Sequence, residues 1–136
     1  MLYLDTHAAV YLYMGDLTLF GPKGKKLLKT EPLIISPIVL LELEYLYEIS
    51  RINSSSSKIY AALKKDCDLE ICQTSFSDVI TCAKTLIWTR DPFDRIIAAQ
   101  ALVNKGNLLT KDQTITTHYE REYRIRKNQM MELHFT

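Results

Sequence analysis

The sequence has no long hydrophobic run, no large excess of charge of one sign and few cysteines. No apolar stretch approaches the ~18–20 residues that a membrane-spanning helix needs, so we expect no membrane association. The segment MLYLDTHAAVYLYM carries an acid and no basic residue before its apolar part, which is unlike a secretory signal. Lysine and arginine number 17 against 16 acids, for a net charge of +1. This balance excludes both binding of nucleic acid through bulk charge and an acidic disordered tail, and leaves only a local patch for a polyanion.

Three cysteines, Cys67, Cys72 and Cys82, are too few and too irregularly spaced for a disulfide framework or a zinc site. The sequence has no CxxC motif, and each cysteine lies in an apolar context. We therefore expect reduced core residues and a cytoplasmic protein.

The 136 residues, 47% hydrophobic and 24% charged, have the size and composition of one globular domain. There is no repeat and no linker long enough to separate two domains. We expect a single domain over residues 1–136, with its core in 1–117 and a weakly patterned tail in 118–136.

Short apolar runs alternate with helical segments along the chain. The runs LYL, LII, LEIC and LL predict four buried strands, and the tail is expected to hold a last edge strand around 130–135. The pairs Ser36-Pro37 and Asp91-Pro92 are typical helix starts. This alternation predicts an α/β fold whose parallel sheet has helices on both faces.

Two acids follow predicted strands. Asp5 comes directly after the first apolar run, and Asp112 comes just after the fourth. Ligands of open parallel sheets bind outside the carboxyl ends of the strands, where the strand order reverses. We therefore expect both side chains to face one crevice.

Glu42 lies on a helix that is expected to run from Pro37 to about Arg51. At 100° per residue it falls in the middle of an apolar arc that includes Ile38 and Ile49, whereas the other acids of this helix fall on a separate face. An unpaired buried carboxylate is costly. Glu42 must therefore pair with a base, be protonated, bind a cation or reach solvent past the helix end.

The segment TRDPFDRIIAAQA places Asp91 at the N-cap of a helix and Asp94 three residues later. Capping accounts for Asp91. Asp94 either adds to the cap through the helix dipole or projects into the crevice, and the local pattern favours neither interpretation.

Four carboxylates thus have routes to one pocket: Asp5, Glu42, Asp94 and Asp112. Without a cation they would raise one another's pKa values, and a hard divalent ion relieves this repulsion. Oxygen ligands without a histidine or cysteine partner favour Mg²⁺, with Mn²⁺ as a substitute, over Zn²⁺. Such a site suits phosphodiester hydrolysis. No Ser/His/Asp set, Cys/His set or glycine-rich phosphate loop stands out.

The segments LYLDTHAAVYLY, SPIVLLELEYL, RDPFDRIIAAQA and LLTKD resemble, in this order, the PIN-domain ribonucleases, and most of all the VapC-type toxins of toxin–antitoxin systems. The resemblance covers residues 2–112 and does not extend to the tail. It implies a three-layer fold with a parallel sheet of about five strands and a Mg²⁺-dependent endoribonuclease. It carries the family's acidic quartet, as metal ligands and catalytic residues, onto Asp5, Glu42, Asp94 and Asp112.

The resemblance further implies an RNA substrate, a homodimer and a small antitoxin that lays a helix or an extended segment across the active-site groove. Four tyrosines either line that groove or belong to the half-buried core: Tyr11, Tyr13, Tyr45 and Tyr47.

Several residues are candidates for supporting roles. Thr6 and Thr110 are expected to orient the carboxylates. Arg90 and Arg95 flank the acids, and each either touches a scissile phosphate or pairs with Asp91. Two basic clusters are candidate RNA contacts or simply solvated faces: Lys23, Lys25, Lys26 and Lys29, and Arg121, Arg124, Arg126 and Lys127.

Two other functions compete with a nuclease. A phosphoacceptor signalling domain also gathers acids at strand ends, but it needs an adjacent acid pair after the first strand and a lone aspartate after the third. Here these positions are Asp5-Thr6 and Cys72-Gln73, which disfavours it. The second alternative is a PIN-like module that binds nucleic acid without cutting it, and the presence of all four acids argues against this loss of activity.

Overall fold

The computed structural model describes the backbone of residues 1–135 and the side chains of residues 1–126. Within them the strands are β1 (Leu2–Leu4), β2 (Leu33–Ile35), β3 (Glu70–Ile71) and β4 (Asn107–Leu109). The α-helices are α1 (Thr6–Tyr13), α2 (Pro22–Thr30), α3 (Pro37–Glu48), α4 (Ser56–Cys67), α5 (Phe76–Ala83), α6 (Pro92–Val103) and α7 (Gln113–Phe135). None of the helices in this part of the chain is long and apolar enough to cross a membrane.

The sheet is parallel throughout, with the strand order β3-β2-β1-β4. The chain builds β1, β2 and β3 in one direction and then returns to place β4 on the other side of β1. In this register Tyr3 of β1 is paired with Leu108 of β4. The strand order therefore reverses between β1 and β4, and a crevice opens at their carboxyl ends.

Alternate side chains of β1 enter two cores, one on each face of the sheet. Leu2 and Leu4 belong to one core, and Tyr3 belongs to the other. The first core also contains Ala9 of α1, Val39 of α3 and Ile59 of α4. The second contains Val79 of α5, Ala98 of α6 and Tyr119 of α7. This arrangement confirms the three-layer α/β fold that the sequence predicts.

The tail corrects one expectation. The described residues form four strands rather than about five, because the segment around 130–135, expected to be an edge strand, lies in α7. Ile115 and Tyr119 are buried, and Tyr123 packs against the same core. These apolar residues recur every fourth position, which is a helical spacing and not the alternation of a strand.

Helix α3 corrects another expectation, since it turns a different face to the core. Its buried residues are Val39 and Leu43, whereas Leu41, Tyr45 and Ile49 are all exposed. The apolar arc identified from the sequence is thus mostly on the surface. The helix also ends at Glu48 rather than near residue 51.

Gly106 allows β4 to approach β1 closely. A Cβ atom at this position would lie 2.7 Å from two atoms of the Tyr3 ring. The hydroxyl of Tyr119 donates a hydrogen bond to the Gly106 carbonyl. The turn before β4 is therefore fixed from both sides by aromatic side chains.

Candidate active site

A cavity of about 250 Å³ opens at the carboxyl ends of β1 and β4. Five carboxylates line it, from four separate segments of the chain: Asp5, Glu42, Asp91, Asp94 and Asp112. The rest of the lining is formed by Thr6, His7, Tyr11, Ile97, Lys111 and Ile115. The structure therefore brings all four sequence-predicted acids, and a fifth, to the switch point of the sheet.

Asp5 is placed by the end of β1. Its backbone N–H donates to the Leu109 carbonyl at 3.1 Å, and its Oδ1 accepts from the Ala8 N–H at 2.8 Å, which caps α1. Burial raises the pKa of Asp5, and hydrogen bonds from Thr110 and Ala8 lower it only in part. The Thr110 hydroxyl also accepts from the Asp112 N–H at 3.1 Å, so this threonine links two of the acids.

Glu42 lies at the margin of the buried stripe of α3 and is half-buried. Its Oε1 accepts a hydrogen bond from the buried hydroxyl of Thr6. Burial raises the pKa of Glu42, the Thr6 hydrogen bond lowers it, and the charges of Asp91 and Asp5 raise it again. No salt bridge among the described side chains includes Glu42, so pairing with a base does not explain its burial.

Asp91 caps α6, and Asp94 is left to face the cavity. The Asp91 Oδ1 accepts from the backbone N–H groups of Phe93 at 2.8 Å and of Asp94 at 3.4 Å. Burial is the largest cause that raises the pKa of Asp94 to about 7. The neighbours that raise it further are all carboxylates: Asp91, Glu42, Asp5 and Asp112. Asp91 was not predicted from the sequence as a cavity residue, because helix capping already explained the presence of an aspartate at this position.

Asp112 is exposed at the edge of the cavity and caps α7. Its Oδ1 accepts from the N–H groups of Thr114 at 2.9 Å and of Ile115 at 3.1 Å. Asp112 is therefore held by the backbone of the helix that follows it.

Lys111 is a basic lining residue that the sequence did not single out. Its Nζ lies 5.3 Å from the centroid of the Tyr11 ring. This contact joins positions far apart in the chain, so no local pattern could have revealed it.

The other basic candidates lie outside this cavity. The Arg95 Nε donates to the Thr89 carbonyl at 2.7 Å, and neither Arg95 nor Arg90 lines the cavity or forms a salt bridge with Asp91 among the described residues. Lys23 of α2 and Arg124 of α7 line a second cavity of about 390 Å³ beside β4. One residue of each basic cluster thus lines the same groove.

The donor set fits a hard divalent cation in charge and chemistry. Apart from one histidine the cavity offers oxygen donors, which suit Mg²⁺ or Mn²⁺. Burial raises the pKa values of three of its acids, and no salt bridge in the described part of the chain neutralises them. Among the described side chains, no three converge closely enough to hold a metal ion as they stand. Binding would therefore need the carboxylates to rotate toward a common point.

Fold and cavity together define a parallel α/β protein with an acidic crevice at the switch point of its sheet. A sequence model of the PIN domain matches residues 2–120, and the chain belongs to this family. PIN domains are generally nucleases and typically use divalent metal ions.

Solved structures show the same fold. One similar chain is from the crystal structure of VapBC2 from Rickettsia felis bound to a DNA fragment from its promoter. The two chains are 22% identical with a TM-score of 0.62, and the match covers 86% of this chain and 92% of the other. No curated protein matches the sequence.

Proposed function

We propose that the protein is a Mg²⁺-dependent endoribonuclease and the toxin of a toxin–antitoxin pair. The observation that carries the nuclease proposal is the set of five carboxylates, without salt bridges among the described residues, that line one cavity of a PIN domain. The toxin assignment is supported by the sequence resemblance to VapC-type toxins and by the fold likeness to a VapBC2 chain. A reducing cytoplasm suits the three free cysteines.

Asp5, Glu42, Asp94 and Asp112 would hold the cation. A bound divalent ion supplies Lewis-acid polarisation of a phosphoryl oxygen and hydroxide from bound water. The chain's own contribution is to hold the acids in place. Thr6 donates to Glu42, Thr110 links the first and last acids, and the Asp91 cap fixes the start of α6 so that the next acid faces the cavity.

An RNA substrate is supported by the basic residues beside the cavity. Lys23 and Arg124, from the two basic clusters, line the neighbouring groove along β4. Glu120 also lines this groove and lies 3.9 Å from Arg124, so a single strand that leaves the acidic cavity along it would meet one net positive charge. Contacts to phosphate position a strand without reading its sequence, so we predict no base preference from this groove.

The test is cleavage of labelled single-stranded RNA by the purified protein. We expect cutting that needs Mg²⁺ or Mn²⁺, stops with a chelator and is lost in Asp5→Asn, whose asparagine still caps α1. Asp66→Asn, which removes an exposed acid of α4, is the matched control and should cut normally. A cleanly folded variant carrying both Asp5→Asn and Asp94→Asn that cuts at the wild-type rate would refute the proposal. Mapping new RNA 5′ ends in cells after induction would then name the target.

The alternative is a PIN module that binds nucleic acid or signals without cutting. One observation favours it, since no three acids of the described part converge on a metal position. The alternative predicts RNA retention without Mg²⁺-dependent products, so the cleavage assay separates the two functions.

We also propose that the antitoxin occupies an apolar groove next to the acids. A cavity of about 760 Å³ shares His7 and Tyr11 with the acidic cavity and is lined by α1, the end of α3 and the loop before α4. An amphipathic helix suits such a groove. Met14→Asp should abolish co-purification with a co-expressed antitoxin without reducing RNA cleavage. Ile87→Asp, an equally exposed apolar position outside the groove, should leave the complex intact.

A second copy of the chain is proposed on the exposed face of α3. Leu41 and Tyr45 form an apolar stripe there, and Phe76 shares an apolar cavity of about 230 Å³ with Leu41. A stripe of this kind is self-complementary across a two-fold axis. Light scattering should show a dimer for the wild type and a monomer for Leu41→Glu. If Leu41→Glu is still a dimer, the dimer interface does not lie on this face of α3.

A further inference from the structure

Lys111 lies at the mouth of the acidic cavity without pairing with any of its acids. It lines the same cavity as five carboxylates, but no salt bridge in the described residues includes it. Its Nζ lies instead over the ring of Tyr11, 5.3 Å from the centroid. The side chain is exposed, so its positive charge is accessible to an anion from solvent.

Tyr11 is held firmly enough to position this lysine. Its ring packs against buried Phe20 in an edge-on arrangement, with centroids 6.4 Å apart and an interplanar angle of 69°. An aromatic face attracts an ammonium group and restricts where it sits. A long lysine side chain that is already restricted loses less rotamer freedom when it binds a ligand.

Lys111 does not neutralise the acids of the cavity. The largest influences on the pKa of Asp94 are burial and the charges of four carboxylates, all of which raise it, and Lys111 is not among them. A lysine that served to neutralise the cavity would oppose this rise. Neutralisation of the acids is therefore left to an ion from solution, and the lysine charge is left for a different ligand.

We propose that Lys111 binds a non-bridging oxygen of an RNA phosphate at the mouth of the acidic cavity, and that Tyr11 positions it. The proposal rests on the proposed nuclease function and adds a substrate contact to it. An ammonium group is a compact charge with three donors, which suits a phosphate and ignores the base. The contact exists in the bound substrate as well as during cleavage, so it strengthens binding more than it speeds the chemical step.

The test measures RNA binding and cleavage separately. Binding of a fluorescent 2′-O-methyl single-stranded RNA is titrated across salt concentrations, with Ca²⁺ in place of Mg²⁺ to slow cutting. In Lys111→Met we expect Kd to rise about tenfold, and the slope of log affinity against log salt to fall by about 0.7, the value for one phosphate contact on a single strand. In cleavage assays KM should rise while kcat changes little. Lys111→Arg should restore both Kd and slope.

A matched control is Lys84→Met. Lys84 is also exposed, but it follows the end of α5 and does not line the acidic cavity. This variant should leave Kd, salt slope and KM unchanged. Equal effects of Lys84→Met and Lys111→Met would overturn the proposal, because they would show only a general loss of positive charge.

The positioning role of Tyr11 is tested with Tyr11→Phe and Tyr11→Leu. Tyr11→Phe keeps the aromatic face and should bind RNA like the wild type, whereas Tyr11→Leu should weaken binding. The effects of Tyr11→Leu and Lys111→Met should not add in the double variant, since both act through one contact. Additive effects in cleanly folded variants would overturn the positioning role.

The outcomes separate this inference from the function on which it rests. If the wild type binds RNA through Lys111 but does not cut it, the nuclease proposal fails and the phosphate contact stands. If the wild type cuts RNA and Lys111→Met keeps the wild-type Kd, salt slope and KM, the nuclease proposal stands and the Lys111 contact is overturned. A wild type that neither binds nor cuts RNA overturns both.

Discussion

Two groups of polar side chains lie against the sheet of this small domain, one inside it and one in a partly exposed cavity. They differ in how their polar atoms are satisfied. The first is an interior polar cluster between the sheet and α6, formed by Tyr3, Ser36, Cys72, Thr74, Gln100 and Asn104. Its members donate to one another: Ser36 Oγ to Gln100 Oε1 at 2.6 Å, Thr74 Oγ1 to Asn104 Oδ1 at 3.0 Å, and Asn104 Nδ2 to the Gln100 carbonyl at 2.8 Å. The Tyr3 hydroxyl lies 3.2 Å from the Cys72 sulfur.

The second group is the acidic cavity, where like charges face one another. Its acids accept hydrogen bonds from Thr6, Thr110 and helix N–H groups, but no cation among the described residues pairs with them. Paired neutral groups stabilise a fold, whereas unpaired buried charges reduce its stability. The comparison indicates that the interior polar cluster serves the structure and that the cavity retains unfavourable charge for a function.

The largest expected effects come from two substitutions in α6, Asp94→Asn and Gln100→Ala, which should affect activity and stability in opposite ways. The first is Asp94→Asn. It should reduce Mg²⁺-dependent RNA cleavage at least about hundredfold, as expected when a group that stabilises transition-state charge is removed. It should also raise the metal-free melting temperature, because one repelling charge is gone. Initial rates and thermal melts of the same preparation measure both effects. A variant that loses activity together with stability would mean that Asp94 serves the fold.

Gln100→Ala should have the opposite result. It leaves the buried Ser36 hydroxyl without its acceptor and removes buried volume, so the free energy of unfolding should fall by about 2–3 kcal/mol. The RNA cleavage rate per folded molecule should stay at the wild-type level, since Gln100 does not line the acidic cavity. Denaturant unfolding and a cleavage assay well below the melting temperature would check this. Loss of catalysis in fully folded protein would remove the distinction between the two groups.

Mg²⁺ should relieve part of the repulsion among the acids of the cavity and so stabilise the folded protein. An ion that binds only the folded cavity stabilises it by about 1.4 kcal/mol at a tenfold excess over its Kd. The shift should appear with Mg²⁺ or Mn²⁺ in the wild type and in Gln100→Ala, and it should be much smaller in Asp94→Asn. Thermal melts at constant ionic strength measure it. If the ion raises the melting temperature equally in all three proteins, it binds outside the acidic cavity.

The smallest effect concerns pH. In the metal-free folded protein the pKa of Asp94 is raised from 3.8 to about 7, so the folded state binds more protons than the unfolded state between these values. The free energy of unfolding must then fall as pH rises from about 4 to about 7. We expect Asp94 to contribute about 1 kcal/mol of this fall after solvent screening. The fall should therefore be smaller by that amount in Asp94→Asn, where Asp5 and Glu42, whose pKa values are also raised by burial, still contribute. Burial raises the pKa of Tyr3, so this group of the interior polar cluster stays neutral and adds no slope. If the free energy of unfolding depends on pH in Asp94→Asn as it does in the wild type, the dependence comes from other titratable groups.

The sequence predicted those parts of the fold that depend on neighbouring residues. β1 ends where Asp5 caps α1, and Ser36 and Asp91 cap their helices, because a cap is a contact between residues two or three positions apart. The placement of Asp5 and Asp112 on one cavity followed from a topological rule for parallel sheets.

The sequence was less reliable where the packing of a whole face decides the outcome. Glu42 was identified from an apolar arc that proved to be largely exposed, since a helical wheel cannot tell a core face from a face left for a partner. Asp91 was missed because a cap and a cavity residue look the same in sequence. Lys111 was missed because its contact with Tyr11 depends on tertiary structure.

The pairing of β1 with β4 sets a limit on when the cavity can form during synthesis. Tyr3 and Leu108 are register partners, so the two ends of the domain must meet before Asp5 and Asp112 share a cavity. A growing chain on the ribosome has already made its first acid but lacks the last one until nearly the whole domain has emerged. The complete acidic cavity therefore cannot form on a chain that stops before Asp112.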